Sequence, residues 1–211
     1  MLPSLSSPAK IQAFLDSIPY SAEDRYRCPR SVARDRVAHC FDGAVFAAAW
    51  LRRLGHAPRV VDMLPNGRDD DHMLALFKVD GCWGAVAKSN FSGLRWREPI
   101  FRTLRELVLS YFEDYFNAAG EKTLRAYTVP LNLARFDRQN WLERDETMDV
   151  IALAFDRLRK VPLLTSAQAR RLQPVDPRAL EAGLLGARQD GLFKLGGSAS
   201  QHDMAPIDSV E

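Results

Sequence analysis

Two residues in this chain have types and neighbours suited to acyl-transfer chemistry. Cys40 heads a run of small and apolar residues, Phe41 to Leu51. His72 stands 32 positions later, at the head of the apolar run Met73 to Phe77. A thiol in the first turn of a helix meets unpaired backbone N–H groups and the positive end of the macrodipole, both of which favour thiolate. A histidine at a strand entrance supplies a base that can take the thiol proton and return it. The pair predicts Cys40 as nucleophile on an amide carbonyl and His72 as its proton shuttle. Asp69, Asp70 and Asp71 directly before His72 should raise its pKa, which suits a base that becomes imidazolium. Asp42 suits the helix dipole and the cap but works against a thiolate beside it.

Other residue types near these two read as structural. The run Asp69-Asp70-Asp71-His72 offers metal-ligand chemistry, but adjacent residues of an extended chain point to alternating sides and cannot wrap one ion. With four histidines in the chain and no second cluster, no metal and no cofactor are expected. Cys28 and Cys82 read as packing residues, and His39 as a surface or capping residue.

The elements that must position the pair follow from periodicity. Residues 10–18 carry Ile11, Phe14, Leu15 and Ile18 at helical spacing up to Pro19, and residues 32–38 read as a further turn of helix. Residues 41–54 are apolar almost all round, which predicts a buried helix stopped by Gly55. Strands are expected at 58–64, 72–79 and 82–88, the last two joined by Asp80-Gly81 in a two-residue type I′ turn. Pro99 opens what reads as a long amphipathic helix, with Phe101, Leu104, Leu107, Val108, Tyr111, Phe112, Tyr115 and Phe116 on one face and Gly120 at its end. Residues 124–133 read as an edge strand broken at Pro130, and helices follow at 147–158, 167–172 and 177–185. The order predicts an α+β fold, an antiparallel sheet packed on a buried central helix that carries the cysteine at its N-terminus. One domain over 1–195 is expected, with a core over about 31–135, a helical extension over about 136–195 and a disordered tail at 196–211.

The segment from Cys40 through Leu51-Arg52-Arg53-Leu54-Gly55-His56-Ala57-Pro58-Arg59-Val60-Val61 to His72 resembles the transglutaminase-like superfamily, the papain-type cysteine enzyme fold. That family's loose order is a cysteine opening a helix of small residues, an Arg/Gly turn into a strand, a histidine heading a hairpin strand, and a returning Trp with an acid four residues on. Cys40, Arg52 or Arg53 with Gly55, Arg59-Val60, His72, Asp80-Gly81 and Trp83 fall in those places, over residues 32–90. The resemblance implies a thiol hydrolase or acyltransferase with a peptide or small amide or acyl substrate. It departs at Ala87, which occupies the place of the acid that orients the imidazole and supports the ion pair.

Hairpin arithmetic offers replacements for that acid. If Val79 pairs with Cys82, then Leu74 faces Ala87 and His72 faces Ser89, so Ser89 Oγ is placed to accept from the ring. Asn90 has the chemistry of a papain-type third member but the opposite parity, unless a bulge shifts it. Asp62 on the preceding strand is a further option. Tyr26 with the Cys40 backbone N–H could form an oxyanion pocket, and Trp83 lies in the family's hairpin position. Arg95 and Arg97 form a basic-aromatic cluster with Trp96 that reads either as an anion contact beside the cleft or as surface ion pairs.

Bulk properties narrow the classes. The 211 residues are 46% hydrophobic and 27% charged with a net charge of +2 and scattered arginines, which gives no nucleic-acid footprint. There is no signal-like N-terminal pattern and no apolar run near the roughly 18 residues of a membrane span. Three cysteines without CxxC spacing argue against a disulfide framework, so a reducing cytoplasmic setting is expected. Two functions emerge: cysteine-dependent acyl transfer or amide hydrolysis, or a catalytically degenerate domain of the same type that binds or scaffolds.

Overall fold

The computed structural model describes residues 4–194. Its centre is an open antiparallel sheet of seven strands: β1 (Arg59–Leu64), β2 (His72–Val79), β3 (Cys82–Val86), β4 (Arg97–Phe101), β5 (Ala126–Thr128), β6 (Leu131–Asn132) and β7 (Lys160–Pro162). The order across it is β4-β3-β2-β1-β5-β7, with β6 also paired to β1. With helices set apart from a sheet of hairpin-type pairings, the chain is α+β.

Both faces of the middle strands are buried, which is why β2 reads as a continuous apolar run instead of an alternating one. On one face Val60, Met73, Ala75, Phe77 and Val86 join a core built on the helix α3 (Cys40–Arg53). On the other, Val61, Met63, Leu74, Leu76 and Ala85 join Leu107, Val108, Tyr111 and Tyr115. Helix α3 is buried on nearly every side because its small residues let it lie close to the sheet. Its Phe46 stacks on Phe14 of helix α1 (Pro8–Asp16) at 4.9 Å. A helix α2 (Pro29–Asp35) leads into α3, and the left-handed Gly55 (φ 92°) follows its end.

The β2–β3 hairpin has the register the arithmetic predicts, from Val79↔Cys82 to Ala75↔Val86. Asp80 and Gly81 both have positive φ (48° and 81°), as a type I′ turn requires. The β2–β3 ladder ends at Val86, and the Ala87 backbone groups, which face away from β2, are met by a side chain in place of a further β4 residue. Gln12 of α1 accepts from the Ala87 N–H at 3.0 Å and donates to its carbonyl at 2.9 Å. The next residue, Lys88, passes against Gly43 of α3, where a Cβ would lie 2.3 Å from its own Cβ. Its buried Nζ donates to the carbonyls of Leu15 and Ile18 at 2.8 and 2.6 Å, satisfying the orphan end of α1.

Three expectations require correction. The long helix after Pro99 is an edge strand, β4, followed by a short helix α4 (Leu104–Leu109) and a 3₁₀ turn at Phe112–Asp114. Thr103 and Glu106 form a capping box that starts α4 five residues after the proline. The strand over 124–133 is two pieces, β5 and β6, separated at Pro130. The segment after 135 is not purely helical: between α5 (Glu146–Asp156) and the short helices α6 (Ser166–Ala169) and α7 (Pro177–Gly183), β7 pairs with β5. The expected disordered tail at 196–211 lies outside the described residues. Among the described residues no helix is long and apolar enough to cross a membrane.

Candidate functional site

Strand parity decides where each candidate points. Met63 pairs with His72, and His72 shares its side of the pleat with Leu74 and Leu76, the face turned away from α3. Cys40, the first residue of α3, lies on the other face with Met73. The expected dyad is therefore split by the sheet. His72 is 4% exposed, and its Nε2–H donates to the Leu94 carbonyl at 2.7 Å. A carbonyl only accepts, so Nε2 carries the ring proton. The Tyr115 ring stands edge-on at 6.5 Å. Burial lowers the His72 pKa to about 4; the Leu94 bond opposes this and the Arg97 charge adds to it. The preceding aspartates do not raise it as their sequence position suggests.

Cys40 faces a cavity of about 300 Å³ at the N-terminus of α3. Its Sγ is 3.9 Å from the Asp71 carbonyl oxygen and is approached by the Met73 N–H. The residue keeps partial exposure toward the cavity while its sulfur is enclosed by protein. Burial, then Asp71, Asp70 and Asp62, push the thiol pKa well above its ordinary value. The magnitudes explain why the helix end loses. A helix N-terminus contributes about 0.3–1 kcal/mol. Desolvation of the charge and repulsion by the Asp71, Asp70 and Asp62 carboxyls together outweigh that contribution. Asp42 is not the acid responsible: it is fully buried, accepts from the Arg27 N–H at 2.7 Å and the His39 N–H at 3.4 Å, and is raised to about 7 by its own burial.

The cavity gathers residues that the sequence pattern places elsewhere or does not mark. Asp62, paired with Met73 and so on the α3 face, is 3% exposed. Its carboxyl meets that of Asp71, and its pKa is raised by burial and by that neighbour. Asp62 Oδ1 has no hydrogen-bond donor among the described residues. The Tyr20 hydroxyl lies against the Cys40 backbone N–H, the group an oxyanion pocket would use. Tyr26 does line the cavity, its ring tilted against Phe41 at 4.5 Å between centroids, and burial raises its hydroxyl pKa. Met73, Ala152 and Phe155 supply apolar wall. The one signal for this site in the sequence is Asp62 itself, a carboxyl interrupting an otherwise apolar strand.

The remaining candidates have other occupations. Ser89 lines a small cavity with His72, but its Oγ accepts from the Phe91 N–H at 3.0 Å and the ring goes to Leu94. The β2–β3 ladder ends at Val86, so the backbone pairing that would carry Ser89 opposite His72 is not formed. Asn90 pins the C-terminal segment: it donates to the Arg188 carbonyl at 2.9 Å and accepts from the Arg188 N–H at 2.8 Å. The strap that follows, through Gly191 and Leu192, borders the Cys40 cavity and passes the Tyr20 ring. Trp83 lies at the hairpin end under Lys78 Nζ, 4.1 Å from its ring centre. Arg95 pairs with Asp16 at 3.4 Å. Arg97 donates to Gly93, Trp96, Ser110 and Asp114 and stacks on Tyr111 at 3.9 Å. Trp83, Arg95 and Arg97 are absent from the cavity lining, so none is placed to contact a substrate at Cys40. Among the described residues no group of three or more His, Cys, Asp or Glu is arranged to hold a metal ion. Comparison of the chain with protein-family models and with curated proteins gives no match.

Proposed function

We propose that this chain is a catalytically degenerate domain of transglutaminase-like type that binds a ligand in the Cys40 cavity and performs no thiol chemistry there. The order of cysteine helix, hairpin and histidine supports the fold relationship. The observation that carries the functional reading is the separation of the two expected catalytic groups by the sheet. The His72 Nε2–H is committed to Leu94 on one face, and Cys40 is surrounded by carboxyls on the other. A cysteine nucleophile needs a base within reach and an environment that favours thiolate. Cys40 has a desolvated sulfur, acidic neighbours and a tyrosine hydroxyl over its N–H. Each of these opposes the charge separation that acyl transfer requires.

Iodoacetamide alkylation across pH, read by peptide mass spectrometry, tests this. Cys40 should be alkylated no faster than the partly exposed Cys82 near neutral pH, with a rate still rising above about pH 9. Preferential alkylation of Cys40 below pH 7 that disappears in a His72→Gln variant would restore the enzyme reading.

A further inference from the structure

The last described segment of the chain borders both cavities. At the end of α7, Ser92 donates to the carbonyls of Ala182 and Gly183 through its Oγ–H and its N–H, at 2.7 and 2.9 Å. A turn with Gly186 at φ 73° then brings Arg188 to Asn90. Asn90 is buried, and its amide pairs with both the N–H and the carbonyl of Arg188. An amide that exchanges two bonds with one residue grips backbone and is indifferent to that residue's side chain. The Arg188 guanidinium accordingly turns to Asp190 of the same segment, and both side chains stay exposed. A 3₁₀ turn over Gln189–Gly191 follows, with Leu192 extended beyond it (φ −94°, ψ 141°). Gly191 stands on the partition, since it and Tyr20 line both the Cys40 cavity and the small one beside His72. A Cβ on Gly191 would lie 3.1 and 3.2 Å from the Tyr20 ring and 3.3 Å from Asn90 Nδ2. That ring cannot give way freely, because its hydroxyl is held against the Cys40 backbone N–H. The next two residues diverge as successive residues of an extended chain do: Leu192 borders the Cys40 cavity and Phe193 the one beside His72.

We propose that Arg188 to Phe193 is a peptide ligand bound in cis, and that the groove beneath it docks a partner peptide of the same chemistry. The groove asks for a backbone pair at Asn90, a glycine against Tyr20 and two apolar side chains that fall to opposite sides. Lifting the strap removes Gly191, a wall common to the two cavities, and leaves the Asn90 amide without its partner. A displacing segment regains each of these contacts, so exchange of one peptide for another leaves no buried polar group unmatched. The tether sets the threshold for exchange, because an attached segment competes at an effective concentration on the order of 1 mM. This assignment rests on the reading that the Cys40 cavity binds, and it names a peptide as the class of ligand.

Fluorescence anisotropy of a fluorescein-labelled peptide spanning Gly186 to Lys194, titrated with full-length chains, tests it. Gly191→Val forces the strap off the Tyr20 ring while leaving the groove intact, and this opened chain should bind the peptide with Kd about 0.1 mM. The wild-type chain, whose tethered strap competes at about 1 mM, should bind it about tenfold more weakly. Adding Asn90→Ala to the opened chain should weaken the peptide by about a further tenfold. A labelled peptide that itself carries Gly191→Val should bind the opened chain at least about tenfold more weakly than the native peptide. Phe193→Asp removes the apolar end of the strap and supplies a second opened chain if valine disturbs folding, which circular dichroism reports. Equal affinity of the wild-type and opened chains, no saturation of either opened chain up to about 1 mM, or equal binding of the native and valine peptides would overturn the assignment. Fast alkylation of Cys40 below pH 7 would overturn the non-catalytic reading while leaving these affinities intact, so the two failures are distinguishable.

Discussion

Acidification from pH 7 to pH 4 should destabilise the wild-type chain by about 3 kcal/mol more than a His72→Gln variant. His72 titrates near 6.5 in an unfolded chain and at about 4 when folded, because burial opposes its charge. Between those values the unfolded state binds a proton that the folded state does not. Stability therefore rises with pH through this window, and the contribution, full above about 6.5, is lost as pH falls toward 4. At about 1.4 kcal/mol per pH unit, and with the folded site half-protonated at pH 4, the loss there is about 3 kcal/mol. Glutamine removes the titration while keeping an N–H donor for the Leu94 carbonyl. His39, also held at about 4 by burial, is common to both proteins and cancels in the difference. Urea unfolding at a series of pH values, followed by tryptophan fluorescence, measures it. A His72 partnered with a thiolate would have a raised pKa, and its stabilisation would be lost as pH rose. Parallel curves for the two proteins, or a wild-type advantage that shrinks above pH 6.5, would refute the placement of His72 on the face turned away from Cys40.

Two further outcomes test the parts that surround the site. Gln12→Ala leaves the Ala87 N–H and carbonyl without their partner in a buried position, and urea titration should show a loss of about 2–4 kcal/mol; a loss below about 0.5 kcal/mol would contradict the strand-like role of this side chain. Asn90→Ala removes both hydrogen bonds that hold Arg188, so limited tryptic cleavage after Arg188 should accelerate about tenfold, whereas an unchanged rate would mean that other contacts fix the strap.

The sequence is legible where local chemistry dictates structure and opaque where the answer depends on which side of a sheet a helix chooses. Asp80-Gly81 sets the hairpin register by turn geometry alone, and the pairing from Val79↔Cys82 to Ala75↔Val86 follows from it. The same register places His72 with Leu74 and Leu76, but β2 is apolar on both faces, so nothing in its pattern says which face meets α3. Asp71, one residue earlier, has the parity that reaches Cys40. Ser89 is unreachable from sequence for a different reason. Its predicted partnership requires the ladder to continue past Val86, where it ends, and beyond that point the chain is held by distant residues such as Gln12, 75 positions from Ala87. The aromatic residues from Phe101 to Phe116 mislead because a strand, a short helix and a 3₁₀ turn bury much of the same set that one long helix would bury. The Thr103–Glu106 capping box is the available signal that the helix starts late.

The way α1 is fastened sets an order of assembly. Nine residues are too few for a helix to persist alone in water. The polar contacts that anchor α1 to the sheet, Gln12 to Ala87 and Lys88 to Leu15 and Ile18, each close a loop of 70 or more residues. They need Ala87 and Lys88 to be held in place by the hairpin and by α3, so α1 docks on structure made elsewhere in the chain. Lifting α1 away would undo them together. Such partial opening would free the Ala87 backbone groups and the Lys88 ammonium to water together, while the middle strands stay paired. The N-terminal helix is thus fastened to the sheet by side chains, whereas β1, β5 and β6 are joined across comparable sequence distances by backbone pairing.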